Sequence, residues 1–438
     1  MFALAIPMIL SNITTPLLGL VDTAVIGHLD HAYYLGATAV GAMLITSITW
    51  LCGFLRMSTT GLTAQTYGSK DDQQNLLILL RGLLVAFAIG VVFIIFKESY
   101  INFSLSLAGG SEQVQFYARQ YSEIRLFSLP AALANLVILG WLLGNHQAKT
   151  VMWLLIGTNL INLSLDLFFV LGLHWQVSGV AYASLCADYG AFIGGIIIIF
   201  SQHKKSSKQL FINIETLLKA LINRSAFGHY FALNRDIFIR TLCLEICFIF
   251  ITFQGTRLGD TVVAANAILL NFLLLISFGL DGIANAAEVL VGKAKGEKNT
   301  NALHKSVSLA LFWTAIFALF YSVIFALFDQ QLIILMTSIK AIIEYAQHYM
   351  MWIVLLPIIA CWCYLFDGVY IGLMRAKIMR NSMLFSTFIV FFPMWFVLRD
   401  FGNHALWAAF SLFMLSRGIT LAWHYYRYIK IDGVEQKS

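Results

Sequence analysis

The residues of this chain best suited to chemistry are acids and amides set in stretches otherwise fit for lipid. Asp22 lies well inside the apolar run Leu4 to Asp30, LAIPMILSNITTPLLGLVDTAVIGHLD, with Ser11, Asn12, Thr14, Thr15, Pro7 and Pro16. A carboxylate at bilayer depth costs about 2.5–3.5 kcal/mol on insertion scales, and such acids mark ion or proton paths by default. The competing reading is an acid paired structurally with a base. A second group is Thr158, Asn159, Asn162, Ser164 and Asp166. Asn159, Asn162 and Asp166 are spaced i, i+3, i+7 and share one helical face. Asp22 and Asp166 each fall about five residues, or roughly 8 Å, short of the same end of their predicted helices. Ser184, about six residues into the next helix, reaches a similar depth. Oxygen-bearing side chains at one level suit a proton or a hard cation such as Na⁺. The plainer alternative is that the amides and hydroxyl bridge helices by hydrogen bonds.

Other charges sit inside apolar stretches. Glu245 and Asp367 are candidates for an equivalent site in the second half, with an Arg240–Glu245 ion pair as the alternative. Arg56 and Asp281, 225 residues apart, are candidates for a closure between the halves; local carbonyls could equally satisfy each. Asp188, one turn beyond Ser184, would extend the polar track, and Glu288 is expected at the solvent interface. The six cysteines all lie in apolar runs, and buried packing is the better reading of the Cys243/Cys247 and Cys361/Cys363 spacings. No G-x-x-x-x-G-K-[ST] motif is present, so no built-in ATPase supplies energy.

The elements that position these residues follow from hydropathy. The 438 residues are 60% hydrophobic and 11% charged, where a soluble domain carries about 25% charged residues. The fold class is therefore an all-α integral membrane protein. Twelve transmembrane helices are predicted near 2–27, 36–63, 76–97, 117–143, 149–172, 178–201, 228–255, 261–287, 303–327, 345–373, 380–398 and 404–427. The longest polar interruption divides the chain into a six-helix bundle at 1–201, a cytoplasmic linker at 202–227 and a second six-helix bundle at 228–438. Lys and Arg crowd the loops after even-numbered helices, which places both termini in the cytoplasm. The net charge of +6 comes from these loops and points to no nucleic-acid partner. The first segment lacks a basic start and a cleavage site, so it is a retained helix that a short polar leader would precede.

The halves repeat. Pro130 and Gly144-x-x-x-Ala148-Lys149 recur as Pro357 and Gly372-x-x-x-Ala376-Lys377, at offsets of 227 and 228. Six helices per half return the chain to its starting side, so the two pseudo-symmetric bundles are parallel repeats, a transporter architecture.

Several stretches resemble the multidrug and toxic compound extrusion (MATE) family, in particular its DinF-like branch. They are Pro7-Met-Ile-Leu-Ser-Asn-Ile-Thr, Leu17 to Leu29, Leu55-Arg-Met-Ser-Thr-Thr-Gly61-Leu-Thr-Ala-Gln65, Leu280-Asp-Gly-Ile-Ala284 and Met379-Arg-Asn-Ser-Met383. The resemblance covers essentially the whole chain and implies the MATE-type fold. It implies an antiporter that exchanges H⁺ or Na⁺ for amphipathic, often cationic, compounds. It also implies that Asp22 is the coupling carboxylate, in a network with Asn162, Asp166 and Ser184, and that Pro7 belongs to a bend of the first helix. Acids on helices seven and ten bind Na⁺ in another branch; Asp367 stands about one turn from the expected place, so that site is not carried over. Lys293 replaces a glutamine expected opposite Gln65.

The resulting reading is a secondary efflux transporter of the bacterial inner membrane, not an enzyme. H⁺ is preferred over Na⁺ as the coupling ion, and Na⁺ would sit at Asp22/Asp166. No cofactor is expected; the partners are small amphipathic molecules and the bilayer, and the protein is expected to be a monomer. One alternative is a lipid-linked precursor flippase, which would want a basic cavity. The other is an intramembrane enzyme acting on polyprenyl-linked sugars, which would want a sizeable extramembrane loop.

Overall fold

A computed structural model describes residues 1–12, 32–108, 111–206, 224–337 and 339–429. Asp22 lies outside the described residues, as does much of the predicted linker. Helices α1 to α9 are Phe2–Asn12, Ala32–Leu51, Phe54–Ser69, Asp72–Ile95, Lys97–Ala108, Glu112–Leu126, Leu129–Gly144, Ala148–Asp166 and Gln176–Ser206. Helices α10 to α17 are Arg224–Leu258, Asp260–Gly296, Thr300–Leu327, Asp329–Met336, Lys340–Gly372, Ala376–Phe385, Phe392–Leu398 and Asn403–His424. No strand occurs among the described residues. Nine helical stretches there are long and apolar enough to cross a membrane, or ten when the bent pair α6 and α7 counts as one span. That architecture is the multi-pass all-α membrane fold expected from hydropathy. Many large apolar side chains stay exposed on it, as lipid-facing helices require.

The chain forms two compact units, Met1–Ile9 with Ala232–Ser438, and Leu10–Phe231. The division falls inside the first predicted span, two residues past Pro7. Pro7 is buried in α1 beyond its first turn, where its ring removes one i→i−4 hydrogen bond.

Within each unit a matching pair of helices meets backbone to backbone. In the unit Leu10–Phe231, a Cβ on Gly140 would stand 2.6 Å from the Arg56 carbonyl oxygen, and one on Gly144 2.8 Å from that of Thr60. In the other unit, a Cβ on Gly368 would stand 2.3 Å from the Ala284 carbonyl, and one on Gly372 2.4 Å from that of Glu288. Each of the four pairs of equivalent residues is 228 positions apart, so the repeat seen in sequence is a repeat of contacts. Small residues spaced four apart allow such approach where lipid, not water, surrounds the helices. The register makes Ala284, rather than Asp281, the counterpart of Arg56. It also corrects the expectation for Glu288, which is buried rather than at a solvent interface. Gly140→Ala and Gly368→Ala should each force helix separation and cost about 1–3 kcal/mol, read as a lower thermal midpoint of the purified protein. Unchanged midpoints in both variants would refute the contact.

Five of the six cysteines are buried, and Cys186 is exposed. Among the described residues no group of three or more His, Cys, Asp or Glu could hold a metal ion.

Candidate functional site

The fifth predicted span is α8, which continues from Asp166 into a wider π-helical turn, Leu167–Gly172. Such turns are rare in helices and recur at functional sites. The apolar composition of α8 turns most of its surface to the bilayer, but Asn162 and Asp166 are buried, at 1% and 0% exposure. They face α9, where Ser184 stands. A carboxylate offers acceptors alone, so the Asn162 amide is satisfied with its nitrogen toward Asp166. In that orientation Nδ2 donates to Asp166 Oδ2 at 3.0 Å, while Oδ1 accepts from the Ser184 hydroxyl at 3.1 Å and its backbone N–H at 3.2 Å.

The structure thus brings together Asn162, Asp166 and Ser184, three residues selected from spacing and depth. Asn159 sits on the same helix one turn earlier, half-buried. The position of Asp22 relative to the cluster lies outside the described residues. Asp188 does not continue an open polar track, because its carboxylate accepts from Arg125 Nη1 at 2.6 Å.

The second unit is arranged differently. Asp367 on α14 accepts from Arg417 Nη2 at 2.6 Å and also from Arg240 Nη2, so two guanidinium groups hold its carboxylate. Glu245 stands half-buried on α10 and makes no ion pair among the described residues. The Arg240–Glu245 pair weighed from sequence is replaced by Arg240–Asp367. Asp236 and Arg380 form a further pair at 2.7 Å, between α10 and α15. Arg56 belongs to the unit Leu10–Phe231, on α3, and Asp281 to the other unit, on α11. Sequence reasoning passed over Arg125 and Arg417. The signal was present in each case, a charge inside an apolar run, but no local spacing linked it to a partner.

The family model MatE matches the chain twice, at residues 7–168 and 237–397. The chain belongs to the MatE family. The two matched stretches of this MatE chain begin 230 residues apart, at 7 and 237, close to the 228-residue spacing that relates equivalent residues of the two units. The chain is 43% identical over 424 residues to the DNA damage-inducible protein F of Escherichia coli strain K12, covering 96% of this chain and 90% of that protein. It is 24% identical over 397 residues to the probable multidrug resistance protein NorM of Acinetobacter baylyi, covering 90% of this chain and 87% of that protein. Its fold matches a MOP superfamily transporter from Pyrococcus furiosus, with a TM-score of 0.84 at 18% identity, over 97% of this chain and 94% of that one. A MATE structure in a straight conformation matches with a TM-score of 0.86, at 18% identity and the same coverage. As a MatE member the chain is a multi-pass membrane transporter, of a family known for multidrug and toxic compound efflux.

Proposed function

We propose that the chain is a secondary antiporter of the bacterial inner membrane that exports amphipathic, often cationic, compounds in exchange for H⁺ or Na⁺. The observation that carries this reading is the cluster of buried Asn162 and Asp166 with half-buried Ser184. Asp22, on the first span, would complete it. An ionised Asp166 in that setting is costly, so a proton or cation binding there gains more than it would in water. Binding removes the net negative charge of the cluster and weakens the hydrogen bond that the Asn162 amide donates to Asp166. Release of the ion restores the charge and that hydrogen bond. An amphipathic cation competing for the same charge would occupy the protein in alternation with the ion, and that alternation is what couples their fluxes. Pro7 supplies the weak point at which the first helix bends, near the division between units.

The clamped Asp367 supports placing the coupling ion in the first half, since two guanidinium groups already neutralise that acid. Both termini are assigned to the cytoplasm and the monomer to the working unit. The test is efflux of a fluorescent amphipathic cation from everted vesicles, with the pH and Na⁺ gradients imposed separately. Export should follow the pH gradient and stop when it is collapsed. Export indifferent to both gradients would overturn antiport, and export that follows Na⁺ alone would reassign the ion.

A further inference from the structure

One ion pair in the unit Leu10–Phe231 takes no part in the cluster yet lies one helical turn from it. Ser184 and Asp188 are four residues apart on α9 and so share a face. Arg125 ends α6, just before the 54° bend into α7. Its Nη1 donates to Asp188 Oδ2 at 2.6 Å and to Ser128 Oγ at 2.6 Å. The Ser128 hydroxyl donates to the Arg125 carbonyl at 2.9 Å, and Asn135 Nδ2 on α7 donates to the Asp188 carbonyl at 2.8 Å. Both limbs of the bent helix are thereby tied to the turn of α9 that follows Ser184. The side chains of the pair are 14% and 22% exposed.

The surroundings contribute little other charge. Helices α2 and α7 carry no charged residue, and from Gln176 to Ser201 helix α9 carries Asp188 alone. On α8 the charges are Asp166 and, at the other end of the helix, Lys149. On α6, Tyr121 stands one turn before Arg125, while Arg119 is engaged with Glu98 and Glu123. Asp188 lies one turn from the cluster on α9 with Arg125 upon it, and α4, which meets α9 through Phe87 and Phe192, adds the buried Arg81. As a pair the charges of Arg125 and Asp188 nearly cancel at a distance. A single unit charge within roughly 10 Å of a site, at an effective dielectric near 20, alters ion binding there about tenfold, or about one pH unit.

We propose that Arg125 and Asp188 are positioning residues that set the ion affinity of the Asn162–Asp166–Ser184 cluster, electrically silent as a pair and strongly acting when separated. The inference rests on the reading of that cluster as the coupling site. The experiment uses the full-length protein in liposomes and records the pH, and separately the Na⁺ concentration, at which substrate-triggered ion release is half-maximal. Asp188→Asn leaves a lone guanidinium, so about tenfold more ion should be required. Arg125→Gln leaves a lone carboxylate and should shift the half-point the opposite way. The double variant R125Q/D188N should return close to the starting value, and Arg125→Lys should keep it. A purely structural latch predicts the same loss in both single variants with no recovery in the double, and that outcome overturns the proposal. Should a single variant fail to fold, the double variant and Arg125→Lys still decide: a displaced half-point in both refutes it. Asp166→Asn is run alongside. If that variant leaves ion release unchanged, the coupling-site reading fails. If it abolishes release while the two single variants do not split in sign, this inference alone fails.

Discussion

Asp166→Asn should lower ion-coupled export about a hundredfold or more while leaving the protein folded in the membrane. The substitution keeps the shape of the side chain and removes its charge. Asn162 can still hydrogen-bond an amide at this place, because its Nδ2 faces that side chain and an amide oxygen accepts as a carboxylate oxygen does. Stability is therefore expected to be unchanged or slightly raised, since a fully buried carboxylate is exchanged for a neutral group. Ion binding is another matter. A charge-assisted contact is worth about 1.5–3 kcal/mol, or roughly tenfold to a hundredfold in affinity, and the loss is greater where the surroundings are dry. The measurement is transport by equal amounts of reconstituted wild-type and variant protein, with proton release on substrate addition as a second readout. Export at more than about half the wild-type rate would remove Asp166 from the mechanism.

Asp367→Asn should be the most destabilising of the charge-removing substitutions in the second unit, and for the opposite reason. Asp367 is 6% exposed and Arg417 1%. The acid joins α10 through Arg240 and α17 through Arg417. Arg417 also donates to the Met414 sulfur at 3.2 Å and lies 5.4 Å from the Phe413 ring centroid. Removing the carboxylate takes from two buried guanidinium groups the acid to which both donate, and breaking a buried pair in this way costs about 3–5 kcal/mol. For a unit of this size that is a fall in thermal midpoint of about 10 °C. Arg240→Gln should cost less, because Asp367 keeps Arg417. The comparison is made by thermal unfolding of the detergent-purified proteins. A fall of less than about 2 °C for Asp367→Asn, or a larger fall for Arg240→Gln, would contradict the clamp. Export that survives in whatever Asp367→Asn protein folds would agree with coupling being confined to the first half.

The contrast between these acids shows how far the residues could be read in advance. Asp166, Asn162 and Asp367 all declared themselves as polar groups in apolar helices. For Asn162, Asp166 and Ser184 the reading went further, because the first two share a helical face and the third lies at matching depth on the next helix in the chain. Short connections and helical periodicity carry that information locally. For Asp367 and Asp188 the partners lie far along the chain. Arg240 is 127 residues from Asp367, Arg417 is 50 residues away on the other side, and Arg125 is 63 residues from Asp188. No periodicity connects residues at such separations, and a buried acid looks the same in sequence whether it awaits an ion or is already held by arginine.

What the amino-acid sequence determined by itself was the membrane class, the succession of spans, the duplication and the family. Each of these is a sum or a recurrence along one dimension: hydropathy over about twenty residues, or motifs returning after 227 or 228. The tertiary structure decided which charges are paired with one another. It set the helices Phe54–Ser69 and Leu129–Gly144, and their counterparts, at backbone contact through glycines. It joined Arg125 to Asp188, gave Asp367 two arginines, and set the Asn162 amide between Asp166 and Ser184. Those outcomes depend on helix rotation and crossing, which arise when many weak contacts are satisfied at once. A carboxylate's role in a membrane is fixed by the nearest positive charge, and that distance exists only once the helices have packed.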